Sequence, residues 1–125
     1  MACFIVPAAE GAVVKVIERR VERGGAGDPK AVARRAQRLR WLSGMLWGGS
    51  GLLAFEHVWH GEVVPFAPFL TAMATPSDAV AMVREMASVG VGMALAVTAV
   101  WGVMCAVANA IERRADEGTA AEVQA

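Results

Sequence analysis

The stretch Met86-Ala-Ser-Val-Gly-Val-Gly-Met-Ala-Leu-Ala-Val-Thr-Ala-Val-Trp-Gly-Val-Met-Cys-Ala-Val-Ala-Asn-Ala-Ile111 runs for 26 residues without one charged side chain. As a helix it would be ~39 Å long at ~1.5 Å per residue, enough to cross a ~30 Å hydrocarbon layer with some tilt. A soluble core built from 125 residues can hardly enclose such a helix on every side, so the stretch reads as a membrane span. Immediately upstream, Thr75-Pro76-Ser77-Asp78 has the form of a helix start: Thr75 as N-cap, Pro76 at the first helical position and Asp78 three residues beyond the cap. The last helix is therefore predicted to begin near Pro76 and to enter the layer near Met86.

Moving outward, Trp41–His60 forms a second predicted span within a segment 41–61. It opens with the 15-residue uncharged run Trp41–Phe55 and is flanked by Arg38 and Arg40. Trp41 and Trp59 stand near its two ends as interfacial anchors. Residues 1–17 are apolar except for Glu10 and Lys15. Their basic residues follow the apolar part rather than precede it, which argues against a secretory signal. Two readings remain for them: a short third span, at the lower length limit and carrying an acid near its middle, or an amphipathic segment on the membrane surface. The fold class is thus an all-α membrane protein, a helical hairpin or small antiparallel bundle.

Charge placement sets the orientation. Nine basic residues lie between Lys15 and Arg40, and Arg113 and Arg114 follow the last span, whereas the outer connection 62–85 holds only Arg84. The positive-inside bias then places residues 18–40 and the tail 112–125 in the cytoplasm. Within 18–40, Gly24–Pro29 reads as a break before the basic helical stretch Lys30–Arg40. Such a cluster fixes topology and can also attract anionic lipid. Val63–Ala74, interrupted by Pro65 and Pro68, is too short and broken to span. Asp116–Ala125 reads as a frayed polar tail.

Composition excludes several classes. At 56 % hydrophobic and 19 % charged the chain is no disordered segment, and two cysteines make no disulfide scaffold. Cys3 and Cys105 fall toward opposite ends of the three-span arrangement and are not expected to pair. Twelve basic residues against twelve acidic ones, without interleaved aromatics, argue against nucleic acid. Neither a Walker loop, a Rossmann fingerprint, a nucleophile elbow nor a CxxC is present, so no enzyme is expected.

Two sets of residues stand out. Gly90, Ala94, Thr98, Gly102, Ala106 and Ala110 recur every four residues along the last helix, and Gly44 and Gly48 form GxxxG in the middle one. These surfaces are expected to bring the two helices together, or else to pair two copies. The second set is Glu56, His57 and His60, within an arc of roughly 100° on one helix. Two imidazoles and a carboxylate suit a divalent transition metal, although the zinc-protease order His-Glu-x-x-His is not met. Haem would require a second chain or a partner, because two histidines three apart on one helix point the same way. The bland alternative is solvation of both rings in the outer headgroup layer. Glu10 is either an intramembrane acid that handles protons or ions, or a surface charge.

The opening Met1–Glu10 and the stretch Leu42–Pro65 resemble a family of small bacterial integral membrane proteins for which no activity is known. That resemblance implies a bacterial inner-membrane setting and supplies no ligand. The expected function is a non-enzymatic accessory subunit or interaction module, partnered by the bilayer and by another membrane protein or a second copy. The alternatives are a metal- or haem-binding redox accessory using His57 and His60, and a proton- or ion-conducting oligomer using Glu10 and Glu56.

Overall fold

The structure, a computed structural model, describes residues 2–24, 27–65, 69–70 and 74–123. It is all-helical: α1 (Ile5–Arg23), α2 (Pro29–Trp59), α3 (Pro76–Glu85) and α4 (Val91–Val123), with a π-helical turn at Met86–Gly90 joining the last two. Together these last pieces form one 48-residue helix, Pro76–Val123.

Local chemistry explains each boundary. α1 closes with Arg20 and Arg23 in its last turn and the Gly24 N–H donating to the Arg20 carbonyl at 2.8 Å. At the start of α2 the Asp28 carboxylate accepts from the Lys30 N–H at 3.1 Å, and Pro29 needs no partner for a missing N–H. α2 stops at a Schellman turn. The Glu62 N–H donates to the His57 carbonyl and the Gly61 N–H to the Val58 carbonyl, with Gly61 at φ +72°, where a side chain would be strained. Thr75 caps α3 as the sequence predicts, its hydroxyl oxygen accepting from the Asp78 N–H at 3.3 Å. Between α2 and α3 the chain folds back on itself, Val63 bridging Leu70 and the Val64 N–H donating to the Phe69 carbonyl. The rest of that expected connection, residues 66–68 and 71–73, lies outside the described residues.

One expected boundary needs correction and one is extended. The basic stretch 30–40 is helical as expected, and it runs on without a break into the apolar part as the first third of α2, because the Asp28–Pro29 start lies twelve residues before Trp41. The tail is not frayed at Asp116. It stays helical to Val123, where Ala115, Ala120 and Ala121 favour helix and the Thr119 hydroxyl donates to the Ala115 carbonyl.

α1 and α2 form an antiparallel hairpin with the most extensive interface in the molecule. The inward positions of α2 are Ala36, Leu39, Ser43, Leu46 and Ser50, alternating three and four apart like a coiled-coil seam. Pro7, Gly11, Val14 and Glu18 answer from α1. Leu46 is fully buried and clusters with Val14 and Leu42, while Leu39, Val97 and Trp101 close over them. A Cβ at Gly11 would stand 3.1 Å from Trp47 Nε1 and 3.4 Å from Leu46 Cβ, so the helices approach closely only because this residue is glycine.

α4 runs alongside α1 in the same direction and touches both helices more lightly. Ala94 is its one buried residue. Pro76–Val123 is long and apolar enough to cross a membrane, and it alone meets that mark among the described residues. α2 is long enough at 31 residues, but Gly44, Gly48, Gly49, Gly51, two serines and the Glu56–His57 pair dilute its apolar character. The expected two spans are thus met by composition in one helix.

The small-residue row does not form the expected continuous interface within the chain. Gly90 meets the Cys3 carbonyl and Val6 of α1, and Ala94 and Thr98 follow it inward, but Gly102, Ala106 and Ala110 are exposed. Each four-residue step overshoots a full turn by ~40°, so five steps carry the row ~200° around the helix. The inward face instead passes through Trp101, Cys105, Ala108 and Glu112. Gly44 and Gly48 of α2 likewise face open space rather than α4.

Candidate functional site

Polar contacts mark three levels along the bundle. At the basic end, α1, α2 and α4 meet. Glu18, buried on the inner face of α1, accepts from Lys15 Nζ at 2.8 Å and from Arg40 Nε at 3.2 Å, while Arg40 Nη2 donates to Glu22 at 2.9 Å. Lys15 foremost, and Arg40 after it, hold the Glu18 carboxyl below the usual carboxylate range against the opposing effect of burial. On the other side of α2, Arg34 and Arg38 both reach Glu112 at 3.3 Å, and Arg38 also donates to Asn109 Oδ1 at 2.6 Å. The Trp101 indole N–H donates to the Arg38 carbonyl at 2.8 Å. The segment before Trp41 and the end of α4 therefore share one end of the molecule.

Mid-bundle, the Thr98 hydroxyl lies 2.6 Å from Glu10 Oε1 and 2.9 Å from the Ala94 carbonyl. Glu10 is thus turned toward α4 and half-buried rather than lying on a free surface.

At the far end, Glu56, His57 and His60 diverge. The His57 ring packs edge-on against Phe4, the residue before α1, centroids 5.7 Å apart, with Nε2 4.0 Å from Glu62 Oε2 and no hydrogen-bond partner among the described residues. His60 is exposed, its Nδ1 2.9 Å from the Glu56 carbonyl oxygen, and the Glu56 side chain is exposed. The expected metal set does not assemble: among the described residues no three His, Cys, Asp or Glu side chains are placed to hold a metal ion. The helix periodicity that puts these residues within one arc also turns His57 into α1, while the other two look outward. Both cysteines are free.

Sequence reasoning missed Glu18, Arg40 and Glu112 as the residues that tie the bundle together. The signal for Glu18 is its register. It continues the inward positions Gly11 and Val14 at helical spacing, three residues after Lys15. The Arg38 and Glu112 contact spans more than seventy residues and leaves no local trace. Comparison with protein-family models, curated proteins and solved structures finds no match to this chain.

Proposed function

We propose that the chain is a small protein of the bacterial inner membrane that crosses it with α4 and α2 and acts, without catalysis, as an accessory or interaction subunit for another membrane protein or a second copy. The observation that carries this reading is the surface of the last helix: only 6 % of its most apolar 18-residue window is buried, so its hydrophobic face is left for lipid or a partner. α2 adds support. Trp41 and Trp59 are exposed on one side of it, 18 residues or ~27 Å apart, near the thickness of the hydrocarbon layer. Gly44, Gly48 and Phe55 lie exposed between them. The contacts of Arg34 and Arg38 with Glu112 agree with one cytoplasmic end for residues 18–40 and the end of α4. In this reading α1 lies within the bundle and its Glu10 is satisfied by Thr98.

Two measurements test it. The chain is expected to resist alkaline extraction from membranes, and single cysteines at Ala31, Ser77 and Ala121 in a Cys3→Ser, Cys105→Ser background are expected to label from outside only at Ser77. Labelling of Ala31 and Ala121 with Ser77 protected would reverse the orientation, and release by alkali would end the membrane reading.

A further inference from the structure

We propose that the groove between the end of α1 and the first half of α2 holds the headgroup of an anionic phospholipid. This site rests on the membrane reading above. The groove has a volume of about 670 Å³, within the range of small-ligand sites, and is lined by Glu22, Val32, Ala33, Gln37, Arg40 and Trp41 among others. Its lining is amphipathic. Val32 and Ala33 give an apolar wall, while donors stand free along the rest. A guanidinium has five N–H donors, and Arg40 commits two of them, to Glu18 and Glu22. The Gln37 amide, the Trp41 indole N–H and the neighbouring Lys30 ammonium have no polar partner among the described residues.

Charge selects the sign of the ligand. Arg19, Arg20, Arg23, Lys30 and Arg35 pair with no acid among the described residues, so this end of the bundle keeps a positive surplus after its internal ion pairs are counted. An anion is drawn there, and a basic segment beside a span meets anionic headgroups first.

The groove's continuation selects a lipid over a free anion. Trp41 begins the uncharged run of α2, and Ala33, Gln37, Gly44 and Gly48 lie within an arc of ~60° on that helix. Nothing stands within 4 Å of where a Cβ would sit on Gly44 or Gly48. An acyl chain leaving the groove has a side-chain-free track to follow along α2, and a phosphate alone would use none of it.

The test uses the full chain in mild detergent, titrated with phosphatidylglycerol and with phosphatidylcholine carrying brominated acyl chains, with tryptophan quenching as readout. Half-saturation is expected at roughly five-fold or more lower phosphatidylglycerol than phosphatidylcholine, and Trp41→Phe should remove part of the quenching. Lys30→Gln should lose about five-fold of the preference, the effect of one basic residue near a charged surface. Glu22→Gln, which takes a negative charge out of the groove lining, should strengthen it, an outcome that loss of folding would not give. Ala33→Phe should fill the groove and abolish the preference while helicity by circular dichroism stays unchanged. Equal affinity for both lipids overturns the site. So do a preference untouched by Lys30→Gln and Ala33→Phe, displacement of phosphatidylglycerol by millimolar inorganic phosphate, and cross-linking that shows a second copy covering Gly44 and Trp41. A chain that resists alkaline extraction yet shows no preference loses this site alone; one released by alkali loses the membrane reading itself.

Discussion

The α1–α2 hairpin and the last helix solve the burial of apolar residues in opposite ways. The hairpin turns a narrow face inward, seats Leu46 at zero exposure and draws its helices together at Gly11. α4 carries no charge on any side from Val91 to Ile111, buries Ala94 alone, and leaves Leu95, Val100, Val103 and Val107 more than half exposed. One region carries its packing partners in its own sequence. The other is written for surroundings that the chain does not itself supply. The difference is visible in the polar contacts as well, since α4 adds hydrogen bonds and ion pairs at Thr98, Trp101, Asn109 and Glu112 to the few apolar contacts of Val97 and Trp101.

The largest expected effect sharpens this contrast. Leu46→Ala should destabilise the folded chain by ~2–5 kcal/mol, the usual cost of emptying a well-packed leucine site. Leu95→Ala, on α4 at 65 % exposure, should change stability in detergent by less than ~0.5 kcal/mol. Thermal melts followed by circular dichroism compare the two. Equal losses would mean that α4 has a packed core of its own.

A charge placed on α4 can break the comparison from the other side. Val100→Lys, at a position 55 % exposed within the uncharged stretch, should cost ~2.5–3.5 kcal/mol of insertion free energy if lipid surrounds this helix. The fraction of chains integrated into membranes reads that cost. On a water-exposed helix the same change would be nearly neutral, so undiminished integration would take the lipid away from α4.

Much of the architecture could be read from the sequence because its causes are local. The Thr75–Asp78 cap, the Gly61 stop and the uncharged run after Met86 each act within a few residues. What escaped was rotational register. A fixed four-residue spacing suggested one interface from Gly90 to Ala110, but the drift of that spacing around the helix hands the inner face to Trp101 and Glu112. The same sensitivity separated Glu56, His57 and His60, whose sequence proximity hid the fact that His57 alone faces α1. Long-range pairs such as Arg38 with Glu112 and Thr98 with Glu10 depend on how the three helices meet, and no local signal encodes that.

The smallest expected effect concerns the point where the hairpin departs from its own apolar rule. Glu18 occupies an inward position of α1, yet it is stabilised there as an anion by Lys15 and Arg40. Its carboxyl is held below the ordinary value, mainly by the Lys15 hydrogen bond. A lowered folded-state value means that the contribution is complete above the unfolded pKa of ~4.3 and fades as pH falls through the folded value. Glu18→Gln should therefore cost about 1.5 kcal/mol near neutral pH, the low end for hydrogen bonds to a charged group, because both cations are partly exposed. Below about pH 4 the difference between the two proteins should shrink, since wild-type Glu18 then takes up a proton as well. Melting curves of both proteins from pH 7 to pH 3 measure this, and taking their difference cancels the titration of groups outside this cluster, such as Glu112. A gap that stays constant with pH would show that Glu18 is held by shape and neutral hydrogen bonding rather than by its charge.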